Sequence, residues 1–332
     1  MNLNSLLKFV VLQIIFCIFL LLSVLENNLI AAPKSYPYKV TTTVGMVGDI
    51  VKNIVGEKGK VKNIIGEGVD PHIYRATRND VFELLRADIV FYSGLMLEGK
   101  MGDALIKVAM KKPVYAVTQL VNEKFLLQPT EFDGQYDPHL WMDVSAWMMA
   151  VKAVVNKLAK YDPQNEDYYI KKGKKYLSSL KRLHKYGLES ISSIPKEKRV
   201  LITAHDAFNY FGRAYSIQVK GIQGLSTESE AGLKDINNIV DEVVKRNIKA
   251  VFVETSVSSK NVKAIIEGAK ARGKKVIIGG VLFSDAMGNP GTYEGTYIGM
   301  LDHNITVITR SLGGQAPSLG MNGELSKSSR KH

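Results

Sequence analysis

The sequence has very little cysteine. Of its 332 residues only Cys17 is a cysteine, and it lies inside an apolar run near the N-terminus. The chain beyond that run can form no disulfide and offers no thiolate to a metal ion. Any metal site there has to be built from imidazole and carboxylate groups, and the chain has only six histidines.

The signatures of nucleic-acid and nucleotide binding are also missing. Lys and Arg number 44 against 32 Asp and Glu, a formal net charge of +12, but no dense basic run with interleaved aromatic residues occurs outside the C-terminal tail. Gly66 and Gly68 follow a predicted strand, yet Pro71 stands where the third glycine of a dinucleotide fingerprint belongs. Residues 224–226 lack the closing glycine of a nucleophile elbow. We therefore expect no nucleic-acid partner and no nucleotide chemistry.

The N-terminus has the pattern of an export signal. A lysine precedes an apolar run over residues 9–25, and two alanines at 31–32 provide small residues for a cleavage region. We predict a signal peptide or N-terminal anchor over residues 1–32, and hence a periplasmic or cell-surface protein. Lipid attachment at Cys17 is disfavoured, because Phe16 rather than a small residue precedes it.

From residue 39 onward, short β-branched runs alternate with amphipathic helical patterns. This alternation is typical of an α/β fold with parallel sheets, and it restarts near residue 200. We predict two similar α/β domains, an N-terminal lobe over 36–161 and a C-terminal lobe over 195–312. The predicted strands are 40–44, 61–65, 89–92, 114–117, 200–203, 217–220, 250–253 and 276–278.

One long helix is predicted to join the two lobes over residues 162–194. Asp162 and Pro163 are a capping residue and a proline at the first helical position. An apolar stripe with helical spacing then continues to Ile194, so the helix can pack along both lobes as a stiff spine. Residues 313–332 are rich in Gly, Ser and Lys and are predicted to be disordered.

Two copies of the tripeptide Asp-Pro-His stand in loops of the N-terminal lobe and end in His72 and His139. Proline restricts the residue before it to extended backbone, so each histidine is presented from a rigid turn. A single such histidine is weak evidence for a metal ligand. A repeated one favours metal binding.

The C-terminal lobe supplies His205 at the end of a predicted strand and Asp285 beyond another. Ligands of open α/β sheets bind outside the carboxyl ends of the strands, so all four side chains can face one cleft between the lobes. Three imidazoles and a carboxylate form a plausible shell for a divalent ion. Imidazole must be neutral to bind, so retention should weaken as the pH falls.

With these motifs the sequence resembles the TroA-like group of metal solute-binding proteins, the cluster A-I receptors of bacterial ATP-driven zinc and manganese importers. The matching segments are 69–74, 137–143, 200–211, 223–227 and 282–288. The resemblance implies two α/β domains joined by one long helix, with the ion held by two residues from each side. Carried over by position, the metal ligands are His72, His139, His205 and Asp285.

The resemblance further implies an extracytoplasmic protein that delivers zinc or manganese, with iron as a further candidate, to an ABC permease and its cytoplasmic ATPase. The ion is then a transported ligand rather than a resident cofactor. Residues 122–136 lack the histidine-rich run of zinc-specialised relatives, whereas His205 stands where manganese-specialised relatives often have glutamate. The first feature argues against zinc and the second against manganese, so the sequence does not decide which metal is transported. We expect a monomer that reaches the membrane through the permease or an N-terminal anchor.

Two other functions would use the same ligands. A surface adhesin or other interaction protein would contain the metal for stability. A zinc-dependent hydrolase would need a water in the fourth position. Because Asp285 takes that position, we expect no enzyme.

The remaining candidates have simpler interpretations. His184 and His303 are predicted to be surface or packing residues, His332 to be exposed, and Trp141 and Trp147 to belong to the core near the cleft. Three acids are candidates to orient the ligands from behind. These are Asp70, Asp137 and Asp206.

Overall fold

The computed structural model describes residue 13, residues 35–129 and residues 134–326. The predicted signal segment, apart from residue 13, and the lipidation candidate Cys17 lie outside the described residues, as do residues 327–332 and His332 among them. Within the described part, no helix combines the length and the apolar character that a membrane crossing requires.

Four parallel strands form the first sheet, in the order β2-β1-β3-β4. The central strands β1 and β3 are largely buried, as their β-branched and aromatic residues favour, whereas the edge strand β2 is partly exposed. All four carboxyl ends lie at one edge of the sheet. The elements are β1 (Tyr38–Thr42), α1 (Gly45–Val55), β2 (Gly59–Asn63), α2 (Arg78–Arg86), β3 (Ile89–Tyr92), α3 (Gly102–Ala109) and β4 (Val114–Ala116).

Two long helices follow, α4 (Val144–Tyr161) and α5 (Glu166–Ser192), with a short 3-10 turn at Pro163–Asn165 between them. The predicted spine is confirmed, although its regular part starts at Glu166 after that turn. One face of α5 is buried along its length and contacts α4 and the last helix of the chain. At 1.5 Å per residue the 27 residues of α5 extend for roughly 40 Å.

The C-terminal part repeats the parallel arrangement with two pairs of strands, and β5 lies beside β7. Both of these strands are buried throughout. The last helix starts at Tyr297, where the Thr296 side chain caps it by accepting the N–H of Gly299. The elements are β5 (Val200–His205), α6 (Asn209–Tyr215), β6 (Gln218–Gln223), α7 (Leu233–Lys245), β7 (Ala250–Glu254), α8 (Lys260–Ala271), β8 (Ile277–Leu282) and α9 (Tyr297–Ser311).

The predicted α/β class with parallel sheets and one long helix is confirmed. The predicted domain bounds stay a prediction. One large cluster of buried apolar side chains runs from the first sheet across α4 and α5 to α9. Core packing alone therefore does not mark a domain boundary at residue 161 or 195. A second, smaller cluster lies between the C-terminal strands and helices α7 and α8.

Residues 313–326 differ from the predicted disordered tail. Both carboxylate oxygens of buried Asp302 lie 2.9 Å from the backbone N–H of Met321, and Glu294 accepts the N–H of Ser326 at 2.7 Å. Leu325 is buried as well. Composition could not predict this order, since the anchoring acids lie far away in the sequence.

The contact between α4 and α5 gives a test of the spine. A Cβ at Gly173 would lie 2.6 Å from Cγ2 of Val155, so Gly173→Val should overpack the interface and destabilise the protein by about 1–3 kcal/mol. Thermal unfolding of the metal-free protein, followed by circular dichroism, measures the loss. Gly102→Ala is the matched control, because a Cβ there meets no heavy atom within 4 Å; an unchanged melting temperature for Gly173→Val would contradict the packing.

Candidate metal centre

Four side chains from distant parts of the sequence meet in one buried cluster. His72, His139, His205 and Asp285 each offer one ligand atom, and these atoms all lie within 4.8 Å of one another. None of the four residues is more than 4% exposed. The structure thus brings together all four residues that the sequence predicts as ligands.

The strand ends explain how they meet. His72 lies in the loop after β2 and His139 in the segment between β4 and α4, whereas His205 is the last residue of β5 and Asp285 follows β8. Parallel strands direct their carboxyl ends to one edge. The cluster therefore joins two side chains from the N-terminal sheet with two from the C-terminal strands.

The distances inside the cluster are short enough for the four side chains to share one cation. The Asp285 carboxylate lies 3.1 Å from Nε2 of His205, 3.4 Å from that of His139 and 3.8 Å from that of His72. Both oxygens of Asp285 and Nε2 of His205 are buried without a hydrogen-bond partner among the described residues. Ligands about 2.0 Å from a tetrahedral zinc ion are separated by roughly 3.3 Å. The three distances from Asp285 are close to this value, and all ligand atoms lie within 4.8 Å of one another, so the cluster has about the size that encloses such an ion.

Two of the three histidine rings are held by buried carboxylates. Nδ1 of His139 donates to Asp137 at 2.7 Å, and Nδ1 of His205 donates to Glu254. The same carboxylates also accept the backbone N–H of their histidines, each at 2.9 Å. Such partners fix the tautomer and leave Nε2 free to bind a metal ion.

Glu254 is the residue that sequence reasoning missed. It is the last residue of β7, which lies beside β5 and so places its carboxylate against His205. The sequence did offer a signal, because an acid that ends a buried strand carries a buried charge and such a charge needs a partner. Of the three acids predicted to orient ligands, Asp137 accepts a hydrogen bond from a ligand ring, whereas Asp70 accepts the backbone N–H of His72 and no bond from its ring. Asp206 accepts a bond from Asn209.

The other histidines and the tryptophans lie outside the cluster. His303 is buried and bonds the carbonyl of Val281, and the ring of His184 contacts that of Tyr215, as the packing interpretation predicts. Trp141 and Trp147 are fully buried, which confirms their assignment to the core. Trp141 also contacts the ring of His139.

Burial and charge act in opposite directions on the titratable groups. Burial alone would raise the pKa of Asp285, but the neighbouring His205 and His139 hold it well below its ordinary value. Burial alone would lower the pKa of His139, but Asp137 and Asp285 raise it to about 9. Burial lowers the pKa of His72 to about 3. At His205 burial is likewise outweighed by the carboxylates Glu254 and Asp285, which raise its pKa. A metal ion therefore competes with protons at His139 and His205, and binding is expected to weaken as the pH falls.

Two groups of parallel strands, a long helix and a buried polar cluster at the strand ends are also found in solute-binding proteins with the TroA-like fold, as the match to a solved TroA structure shows. A family model described as zinc-uptake complex component A periplasmic, ZnuA, matches residues 40–311. Because this match covers most of the sequence, the chain belongs to the ZnuA family.

Individual relatives agree with the family match. The chain is 46% identical over 274 residues to the manganese-binding lipoprotein MntA of Bacillus subtilis (strain 168), covering 82% of this chain and 89% of that protein. It is 45% identical over 275 residues to the zinc-binding protein TroA of Treponema pallidum (strain Nichols), covering 82% and 88%.

Solved structures support the same assignment. The periplasmic zinc-binding protein TroA from Treponema pallidum matches with a TM-score of 0.81 at 44% identity, covering 83% of this chain and 99% of that one. Fe(III)-bound YtgA from Chlamydia trachomatis matches with a TM-score of 0.75 at 26% identity, covering 84% and 99%. The resemblance inferred from the motifs is confirmed.

The hydrogen bond between Glu254 and the ring of His205 leads to a testable prediction. Glu254→Gln removes the charge that fixes the Nδ1-protonated ring and should weaken zinc binding by roughly 10–100-fold, the usual cost of losing such a partner. Competition against a chelating indicator measures the affinity. Glu267→Gln is the matched control, because Glu267 forms only an exposed pair on α8. Equal zinc affinities for Glu254→Gln and the unsubstituted protein would show that Glu254 does not support the site.

Proposed function

We propose that this protein captures one divalent transition-metal ion outside the cytoplasm through His72, His139, His205 and Asp285, and delivers it to an ABC permease for import. The observation that carries the proposal is the buried cluster of these four side chains, in which both oxygens of Asp285 and Nε2 of His205 have no hydrogen-bond partner among the described residues. Burying them without a compensating cation is costly. Membership of a metal-uptake family supports the same conclusion.

The donor set limits the metal. Three imidazoles with one carboxylate suit zinc. Relatives of comparable identity are named for manganese and for zinc, and a more distant structure is described as Fe(III)-bound. We therefore propose zinc or manganese as the transported ion, with iron as a further candidate.

The partners follow from the transport role. Related proteins are named as metal ABC transporter substrate-binding lipoproteins, which supports a permease with its cytoplasmic ATPase as the partner and a location at the outer face of the membrane. We further propose that the chain acts as a monomer. For its organisation we propose an N-terminal lobe over 36–161, the linking helix over 162–194 and a C-terminal lobe over 195–312.

Catalysis is the alternative that the geometry favours least. A hydrolytic zinc site keeps one position for water, whereas here a carboxylate stands with three imidazoles around one point. Members of this family are transport components, and we propose that this chain has no catalytic activity. An adhesive role with a structural metal would use the same four side chains, and only a transport measurement separates it from import.

The transport role is tested through Asp285. Asp285→Ala removes the only anionic ligand, so zinc affinity measured by titration calorimetry should fall by more than tenfold, since one charged ligand is lost. Cells that carry this variant in place of the native gene should accumulate less of the metal. Asp103→Ala, a change of an exposed acid on α3, should leave both measurements unaltered. Normal metal accumulation in cells that lack the protein would contradict the import function.

A further inference from the structure

Each Asp-Pro-His tripeptide joins its histidine to the opposite side of the cleft through its aspartate. One oxygen of Asp70 accepts the backbone N–H of His72, and the other accepts the hydroxyl of Thr227, which follows β6. Asp137 repeats the arrangement, with one oxygen on the N–H of His139 and the other on the side-chain amide of Asn209. Each aspartate thus forms a pair of hydrogen bonds that links an N-terminal loop to the C-terminal part, and we call each such pair a clasp.

The clasp at Asp137 is supported by several further hydrogen bonds. Asp137 is fully buried and also holds the ring of His139. Its backbone carbonyl accepts the hydroxyl of Tyr210 at 3.0 Å. Two residues beyond His139, the indole N–H of Trp141 donates to the carbonyl of Ser284 at 2.9 Å, next to Asp285. These bonds connect His139 to the segments that carry the C-terminal ligands.

The clasp at Asp70 is supported by fewer hydrogen bonds. Asp70 does not touch the ring of His72, and the ring's hydrogen-bonding contact among the described residues is with the neighbouring imidazole of His139. The loop is open to solvent on its outer side, where Ile73 is 51% exposed. Across the cleft, the side chain of Gln223 holds the carbonyl groups of Thr227 and Ser229, so the Thr227 hydroxyl is presented from a fixed turn.

The ion pair formed by the residue after Thr227 is exposed. Glu228 pairs with Lys100 at 2.8 Å, and both side chains are at least 36% exposed. Exposed ion pairs contribute little to stability and weaken in salt. The hydrogen bond between Thr227 and Asp70 is partly buried and ends on a carboxylate, so it is expected to be stronger than this exposed pair, which joins Lys100 rather than the His72 loop to the C-terminal part.

We propose that the ion leaves from the His72 side of the site, and that the hydrogen bond between Asp70 and Thr227 is the latch that sets the rate of release. His139, His205 and Asp285 then stay together as a fixed set of three ligands, while His72 moves away with its loop. This inference rests on the proposed function, since it concerns how the captured ion is given up.

The test is the rate at which zinc-loaded protein loses its ion to an excess of chelator in stopped flow. Thr227→Val keeps the shape and removes the donor, so release should be about tenfold faster, as expected for one lost hydrogen bond to a charged group. Thr227→Ser keeps the hydroxyl and should release zinc at the unsubstituted rate. Ser229→Ala, an exposed hydroxyl in the same turn, is the matched control.

Asn209→Ala tests the choice of side. It removes one bond from the supported clasp and should change the release rate less than threefold, because Tyr210 and the Asp137 contact with the His139 ring remain. An unchanged rate in Thr227→Val, or a larger acceleration in Asn209→Ala, would overturn the proposal. All variants should still bind one zinc ion and keep the metal-free melting temperature; a protein that binds no zinc at all would instead refute the proposed function.

Discussion

The structure depends on one buried carboxylate. Asp285 is 2% exposed and lies among three imidazoles, and a buried carboxylate whose oxygens accept no hydrogen bond needs a cation to compensate its charge. In the metal-free protein protons on the neighbouring histidines can supply that compensation, and a divalent ion can replace them. Capture of the ion is therefore an exchange of protons for a metal ion around this carboxylate.

The rest of the fold serves to bring that carboxylate and the three rings together. Parallel strands deliver loop residues to one edge of each sheet, and the long helix α5 packs along elements from both halves. Behind the rings, Asp137 and Glu254 fix two of the imidazoles. The site is thus largely preformed, and the part with least support is the loop that carries His72.

Much of this could be predicted from the sequence. Hydrophobic alternation indicated the parallel sheets, and the repeated Asp-Pro-His tripeptide identified His72 and His139, because a rigid turn before histidine is uncommon. His205 and Asp285 followed from their places after strands. The role of Glu254 could not be predicted, since it depends on β5 and β7 being neighbours, and neighbouring strands are set by packing rather than by local pattern. Order in residues 313–326 was missed for a similar reason, because its anchors Asp302 and Glu294 act across the fold.

The central claim is that three imidazoles and one carboxylate, drawn from both halves of the chain, surround a single ion. X-ray absorption at the zinc edge, combined with anomalous diffraction from crystals of zinc-loaded protein, measures this directly. We expect one ion with three imidazole nitrogens at about 2.0–2.1 Å and one Asp285 oxygen at a similar distance. An ion bound elsewhere, or one whose ligands came from only one half of the chain, would contradict the account.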